Sequence, residues 1–217
     1  MPGSLRHSAL ADAYYKLVER MLLPRLPAWG LTPNRLTTMG MLISMSVPLG
    51  FWVHPLLGCG LITVSGAADS LDGLMARHQK RSSNWGAFLD SSIDRISDFF
   101  YLLGFWVPLT RQGDPGWAAL AVFISLLLTL LISYTKCRAE ALGCQCPVGL
   151  MERGVRVVFL IMLALAVGLL PAHEKAVLWW GLTLYAMLCL ATVIQRIRYI
   201  YSKLNNPPTG SGPGRRT

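Results

Sequence analysis

Apolar residues fall in six long blocks along the chain, near 35–53, 56–77, 86–109, 117–138, 154–171 and 176–197. Each block approaches the roughly 20 apolar residues that a membrane-crossing helix needs. Turn-forming or charged residues separate them: His54-Pro55, Lys80 to Asn84, Arg111 to Gly116, Gly143 to Gly149, and Pro171 to Lys175. Ahead of the first block, Leu10, Tyr14, Leu17, Val18, Met21 and Leu22 recur at helical spacing among Arg6, Lys16, Arg20 and Arg25. This pattern predicts an amphipathic helix on a membrane surface over residues 1–33, rather than a cleaved leader. Thr32-Pro33 reads as the start of the first span, with Thr as N-cap and Pro in the first turn. From Asn205 the chain turns rich in Pro, Gly and Ser, and reads as a disordered tail. The pattern therefore predicts an all-α integral membrane protein. Its parts are a surface segment (1–33), a six-span domain (34–204) and a tail (205–217). No internal repeat is visible.

Composition agrees with that reading. The chain of 217 residues is 53% hydrophobic and 14% charged, with a mean hydropathy of +0.45. Soluble domains carry about 25% charged residues, so neither a soluble nor a disordered protein fits. The net charge of +9 would suit nucleic acid, but the basic residues lie between apolar blocks. They point to anionic lipid headgroups, and no nucleic-acid partner is expected. In a six-span layout 17 of the 20 Lys and Arg residues fall on one side, the exceptions being Arg95, Arg111 and Lys175. The positive-inside rule then places both termini in the cytoplasm of a cell (inner) membrane protein. The five cysteines are too few and irregular for a disulfide framework,. Cys144 and Cys146 could form half of a metal site, but no second half is present.

The informative residues are acids inside the apolar blocks. Asp69 and Asp72 lie in the second block; Asp90, Asp94 and Asp98 lie in the third. Ionisable groups at membrane depth are costly and are usually functional. At about 100° per residue, Asp69, Asp72, Gly73, Ala76 and Arg77 share an arc of roughly 140°. Gly86, Asp90 and Asp94 recur every four residues and share a face as well. The short basic loop between these spans predicts that they pack as antiparallel neighbours, with both faces converging near the cytoplasmic end. Four carboxylates so placed need cations between them. Oxygen-only donors suit Mg²⁺, Mn²⁺ or Ca²⁺. Two alternatives remain at this level: an ion-pair network with Arg77 and Arg95 that only holds the bundle together, and an ion-coupled transporter. For Asp98 a structural pair with Arg95 is the simpler expectation.

The run Asp69-Ser70-Leu71-Asp72-Gly73-Leu74-Met75-Ala76-Arg77, then eight residues, then Gly86-Ala87-Phe88-Leu89-Asp90-Ser91-Ser92-Ile93-Asp94 resembles the signature of the CDP-alcohol phosphatidyltransferases. Every fixed position is filled at the right spacing. Leu31-Thr32-Pro33-Asn34-Arg35-Leu36-Thr37 and the six-block layout extend the likeness over most of the chain. The resemblance implies transfer of a phosphatidyl-type group from a CDP-linked lipid such as CDP-diacylglycerol to an alcohol, with release of CMP. It implies that Asp69, Asp72, Asp90 and Asp94 hold two divalent ions, Mg²⁺ or Mn²⁺, and that Asp94 is also the general base. Asn34, Thr37, Gly73, Ala76, Arg77 and Gly86 would receive the CDP-lipid. Membrane lipids and a second copy of the chain, in a homodimer, are implied as partners.

The acceptor is read from the later blocks. Ser133-Tyr134-Thr135-Lys136-Cys137-Arg138-Ala139-Glu140, Met151-Glu152-Arg153 and Gln195-Arg196 are similar to stretches in the bacterial phosphatidylinositol phosphate synthase branch. That likeness implies inositol phosphate as acceptor, its phosphate held by Lys136, Arg153 and Arg196. The chain departs from the branch's Arg-Pro-Glu-Arg with Arg153-Gly154-Val155-Arg156, which leaves Arg156 without an assigned role. The runner-up is a phosphatidylglycerophosphate synthase using glycerol 3-phosphate. A transporter is the distant alternative, since paired repeats and broken midplane helices are not evident.

The six-span layout yields a direct prediction. Cysteines introduced at Asn84 and Gly113 should react with an impermeant thiol reagent from opposite sides of the membrane. Labelling of both from one side would contradict the layout.

Overall fold

The computed structural model describes residues 32–78, 83–113 and 115–205, with 76–78 described as backbone only. The expected surface helix and most of the expected tail lie outside the described residues. So do the side chains of Ala76 and Arg77. Among the described residues the fold is all-helical: α1 (Pro33–Met45), α2 (Val47–Val53), α3 (Pro55–His78), α4 (Asn84–Thr110), α5 (Pro115–Ala141), α6 (Arg153–Leu169) and α7 (Glu174–Asn205). A 3₁₀ turn, Pro171–His173, leads into α7. The helices coincide with the six apolar blocks, and α1 and α2 share the first.

Local chemistry sets the helix ends. Thr32 Oγ1 accepts from Arg35 N at 3.3 Å, with Pro33 in the first turn. Ser83 Oγ accepts from Gly86 N at 3.0 Å and caps α4. Both caps satisfy amides that no helical carbonyl reaches. The first block breaks at Ser46 because Pro48, in the first turn of α2, has no N–H for the helical ladder,. The last block runs on as helix well past its apolar limit, to Asn205.

The first, fourth and last blocks, as Pro33–Val53, Pro115–Ala141 and Pro171–Asn205, are long and apolar enough to cross a membrane. The others differ for visible reasons. α3 and α4 carry the aspartates, and α6 has 17 residues. Large apolar side chains face outward throughout; Leu49, Trp52, Val53 and Trp180 are each at least 67% exposed. Exposed apolar surface on this scale marks a contact with lipid or protein.

Packing differs from expectation in one respect. α3 and α4 barely touch each other directly. The rod formed by α1 and α2 stands between them and packs on both, α3 then packs on α6, α6 on α7, α7 on α5, and α5 on α4. The six rods close a ring in the order first, third, sixth, seventh, fifth, fourth helix. The wedge works by size complementarity. Phe51 is fully buried, with its ring 4.8 Å from Phe105. A Cβ on Gly104 would lie 2.7 Å from Phe51 Cδ2 and 2.8 Å from Val47 Cγ1, and one on Gly58 would meet the same ring. Closer to the aspartates, Tyr101 donates to Ser65 Oγ at 2.8 Å, and Ser65 donates to the Gly40 carbonyl at 2.7 Å. That relay joins α4, α3 and α1 through buried groups, where an unmade hydrogen bond is expensive.

The wedge predicts how glycine replacements behave. Gly104→Ala should lower stability by about 1–3 kcal/mol, the usual scale of overpacking. Gly60→Ala, whose Cβ would meet nothing within 4 Å, should not. Thermal unfolding in detergent checks this, and equal midpoints for the two variants would contradict the wedge.

Candidate active site

The aspartates of α3 and α4 meet as their spacing predicts. Carboxylate oxygens of Asp69, Asp72 and Asp90 all lie within 4.8 Å of one another. Asp72 is 4% exposed. The Thr37 hydroxyl and the Gly73 amide lie within hydrogen-bonding reach of its carboxylate, while Thr37 also donates to the Pro33 carbonyl at 2.9 Å. Asp72 Oδ2 is buried and has no hydrogen-bond partner among the described residues. An orphaned carboxylate oxygen beside two further carboxylates carries a large desolvation penalty. Hard cations with oxygen ligands relieve that penalty. The donor set therefore fits a divalent ion such as Mg²⁺ or Mn²⁺.

Asp94 is placed differently from the other three. It forms an ion pair with Arg153 at 2.9 Å, and the same guanidinium pairs with Asp69. Arg153 is the first residue of α6, so one side chain from α6 joins carboxylates of α3 and α4. The side chains of Asp69, Asp94 and Arg153 keep 15–23% of their surface exposed, which makes this the open side of the cluster. One helical turn deeper, Arg156 pairs with Asp98 at 2.9 Å, both almost fully buried. This corrects the expectation for Asp98. Arg95, its expected partner, instead donates to the carbonyl of Ser91 on its own helix.

Asn34 and Thr38, with Arg35 and Met39, border a pocket of about 400 Å³. A Cβ on Gly86 would lie 3.1 Å from Ser83 Oγ and 3.7 Å from Asn34 Oδ1. Glycine there leaves room for the Ser83 hydroxyl that caps α4.

The three cations expected at the acceptor phosphate are not gathered at one point. Arg153 lies on the aspartates. Lys136 is exposed on the last turns of α5. Arg196 is 3% exposed and donates from Nε to the Val148 carbonyl at 2.9 Å and from Nη1 to the Ile132 carbonyl at 2.5 Å. Arg196 thus ties α7 to α5, one turn before Lys136, and to the 142–152 connection. Gly149, at φ +141°, permits the connection to pass over the arginine; a Cβ there would lie 2.8 Å from Arg196 Nε,. Cys144 and Cys146 are free thiols packed with Ala139, Val148, Tyr199 and Ile200. Their role in this arrangement is to pack the connection against α5 and α7.

Comparison with known proteins places these residues in a family. The sequence profile of the CDP-alcohol phosphatidyltransferases matches residues 30–191, which includes every residue of the cluster and stops short of Arg196. The chain is 30% identical to an archaetidylinositol phosphate synthase of Methanothermobacter thermautotrophicus, over 91% of this chain and 97% of that protein. It is 33% identical to a phosphatidylinositol phosphate synthase of Streptomyces avermitilis, over 77% of this chain and 71% of that one. Its fold is similar to the crystal structure of Mycobacterium tuberculosis phosphatidylinositol phosphate synthase with CDP-DAG bound (TM-score 0.72, 28% identity, 90% of this chain and 100% of that one). A second crystal structure of that enzyme, in complex with manganese and citrate, superposes comparably (TM-score 0.71, 26% identity, 89% and 92%).

Proposed function

The chain belongs to the CDP-alcohol phosphatidyltransferase family, and from that premise we propose that it transfers a phosphatidyl group from CDP-diacylglycerol to a hydroxyl of inositol phosphate, releasing CMP. The observation that carries the reading is Arg153, whose guanidinium reaches both Asp69 and Asp94. An acceptor that bears a phosphate needs fixed positive charge beside the group that takes its proton, and Arg153 stands there. Arg is suited to that task by its fork of donors. The relatives' names differ in the lipid, archaetidyl or phosphatidyl, and agree in inositol phosphate.

In this reading Asp69, Asp72 and Asp90, together with Asp94, hold two divalent ions. Bound there, Mg²⁺ or Mn²⁺ would supply Lewis-acid polarisation of the diphosphate and charge neutralisation for departing CMP. The protein's own residues do the rest. Asn34, Thr37, Gly73, Ala76, Arg77 and Gly86 receive the CDP moiety and hold its diphosphate against the aspartates. Asp94 takes the proton of the attacking hydroxyl as its oxygen bonds to the lipid-bearing phosphorus. The bond from that phosphorus to the CMP oxygen breaks, and CMP leaves with the electron pair. Phosphoryl-type transfer depends mainly on such positioning and neutralisation. Lys136 and Arg196, on α5 and α7, would add positive charge for the acceptor phosphate, although Arg196 is also engaged with the Val148 and Ile132 carbonyls.

The wider arrangement follows from the same reading. All six blocks cross the cell membrane as one domain (34–204), the segment 1–33 lies on its surface, and the tail is cytoplasmic. Both termini and the site face the cytoplasm, where a nucleotide head and a soluble sugar phosphate are accessible, and two copies associate as a homodimer.

Purified protein with CDP-diacylglycerol should release CMP with inositol phosphate, and poorly with free inositol, glycerol 3-phosphate or serine. Efficient transfer to glycerol 3-phosphate without reaction on inositol phosphate would give the acceptor assignment to the runner-up. Asp94→Asn should slow turnover by about 10²-fold or more, the scale of general-base catalysis, while CDP-lipid affinity falls far less. Equal losses of rate and affinity would make Asp94 mainly a ligand.

A further inference from the structure

Helices α4 and α6 stand across the ring from each other and share no extended packing face. They are joined by charge at two levels. Asp94 and Asp98 are four residues apart on α4, while Arg153 and Arg156 are three apart on α6, so each set lies on one helical face. The upper pair, Asp94 with Arg153, is partly open. The lower pair, Asp98 with Arg156, is closed: Asp98 is 3% exposed and Arg156 is 2% exposed. Arg156 does more than neutralise Asp98. Its Nη2 bonds Asp98 Oδ2 at 2.9 Å, and its Nη1 donates to the Met151 carbonyl at 3.0 Å. The Met151 amide in turn donates to Thr192 Oγ1 at 3.2 Å on α7, and Met151 itself is buried. One guanidinium therefore fixes α4, and through a single carbonyl it fixes the backbone two residues ahead of Arg153.

We infer that Asp98 and Arg156 are positioning residues for the reaction, which set where Arg153 stands relative to Asp94. The inference rests on the reading of Arg153 as the ligand of the acceptor phosphate. Arg153 is at the first position of α6, where the backbone N–H has no acceptor within the helix. Its placement is inherited from the turn below and from the connection that leads into it, and Arg156 holds both. The residues assigned to the CDP-lipid lie on α1, α3 and the start of α4, away from this clamp. Loosening it should disturb the acceptor and the proton transfer while leaving the donor lipid held.

The test uses three full-length proteins and reads KM for each substrate separately. Arg153→Gln should raise KM for inositol phosphate by tenfold or more; if it does not, the acceptor reading itself fails, whatever the clamp does. The double variant Asp98→Leu/Arg156→Met removes both charges together, which in buried pairs is often neutral for folding, whereas removing one partner is not. It should keep its thermal midpoint, raise KM for inositol phosphate by tenfold or more and lower kcat, with KM for CDP-diacylglycerol within twofold. Arg156→Lys keeps the charge but has no fork to hold both Asp98 and the Met151 carbonyl. It should fold and raise KM for inositol phosphate severalfold, and it decides the matter if the double variant does not fold. Unchanged KM for inositol phosphate in the folded variants, alongside a raised value in Arg153→Gln, would overturn the inference. So would an equal loss toward both substrates.

Discussion

Negative charge inside an apolar bundle must be balanced, and the architecture follows from how this chain balances it. Asp69, Asp72 and Asp90 lie within 4.8 Å of one another, and Asp94 and Asp98 continue the acidic face down α4. Arg95 on α4 lies near Asp90, but none of the ion pairs to these acids among the described residues starts from α3 or α4. The cations come from α6, whose first turn brings Arg153 to Asp69 and Asp94 and Arg156 to Asp98. A lone buried charge costs several kcal/mol, and a pair with further hydrogen bonds recovers much of it. The helix that closes the ring between α3 and α7 is thus held by its arginines as well as by its apolar face.

The apolar packing serves the same end. Gly58 and Gly104 leave a slot for Phe51, which drives the first span between α3 and α4. Gly40 is small where α1 approaches α3, a Cβ there lying 3.3 Å from Ala68 Cβ. The two acidic helices are held apart along their lengths yet converge at their carboxylates. Beside them, Asn34 and Thr38 of the first span border a pocket.

Much of this was legible in the sequence, and the reasons are specific. The six apolar blocks and their breaks mark helices because lipid-facing residues leave long runs without charge. The aspartates stood out because an acid in such a run has no packing role to explain it. The wedge was not legible: a short loop between α3 and α4 suggests neighbours, and only the fit of Phe51 against two glycines shows what intervenes. Nor was the partner of Asp98. Arg95 is three residues away and Arg156 is 58 residues away, and sequence proximity favoured the wrong one. A signal was present in retrospect, since the three-residue spacing of Arg153 and Arg156 matches the four-residue spacing of Asp94 and Asp98. Arg196 was legible as a conspicuous cation near the end of the last span, but not as a brace on the Val148 and Ile132 carbonyls, because backbone acceptors leave no trace in sequence.

The trio of carboxylates fits a divalent cation, with Asp72 as its most buried member. Mn²⁺ binding to the purified protein, followed by electron paramagnetic resonance without any substrate present, tests this most directly. Asp72→Asn keeps the shape of the side chain and removes its charge. Binding should be saturable in the native protein, with an affinity at least tenfold weaker in Asp72→Asn at unchanged thermal stability. Equal affinity in the two proteins would contradict it.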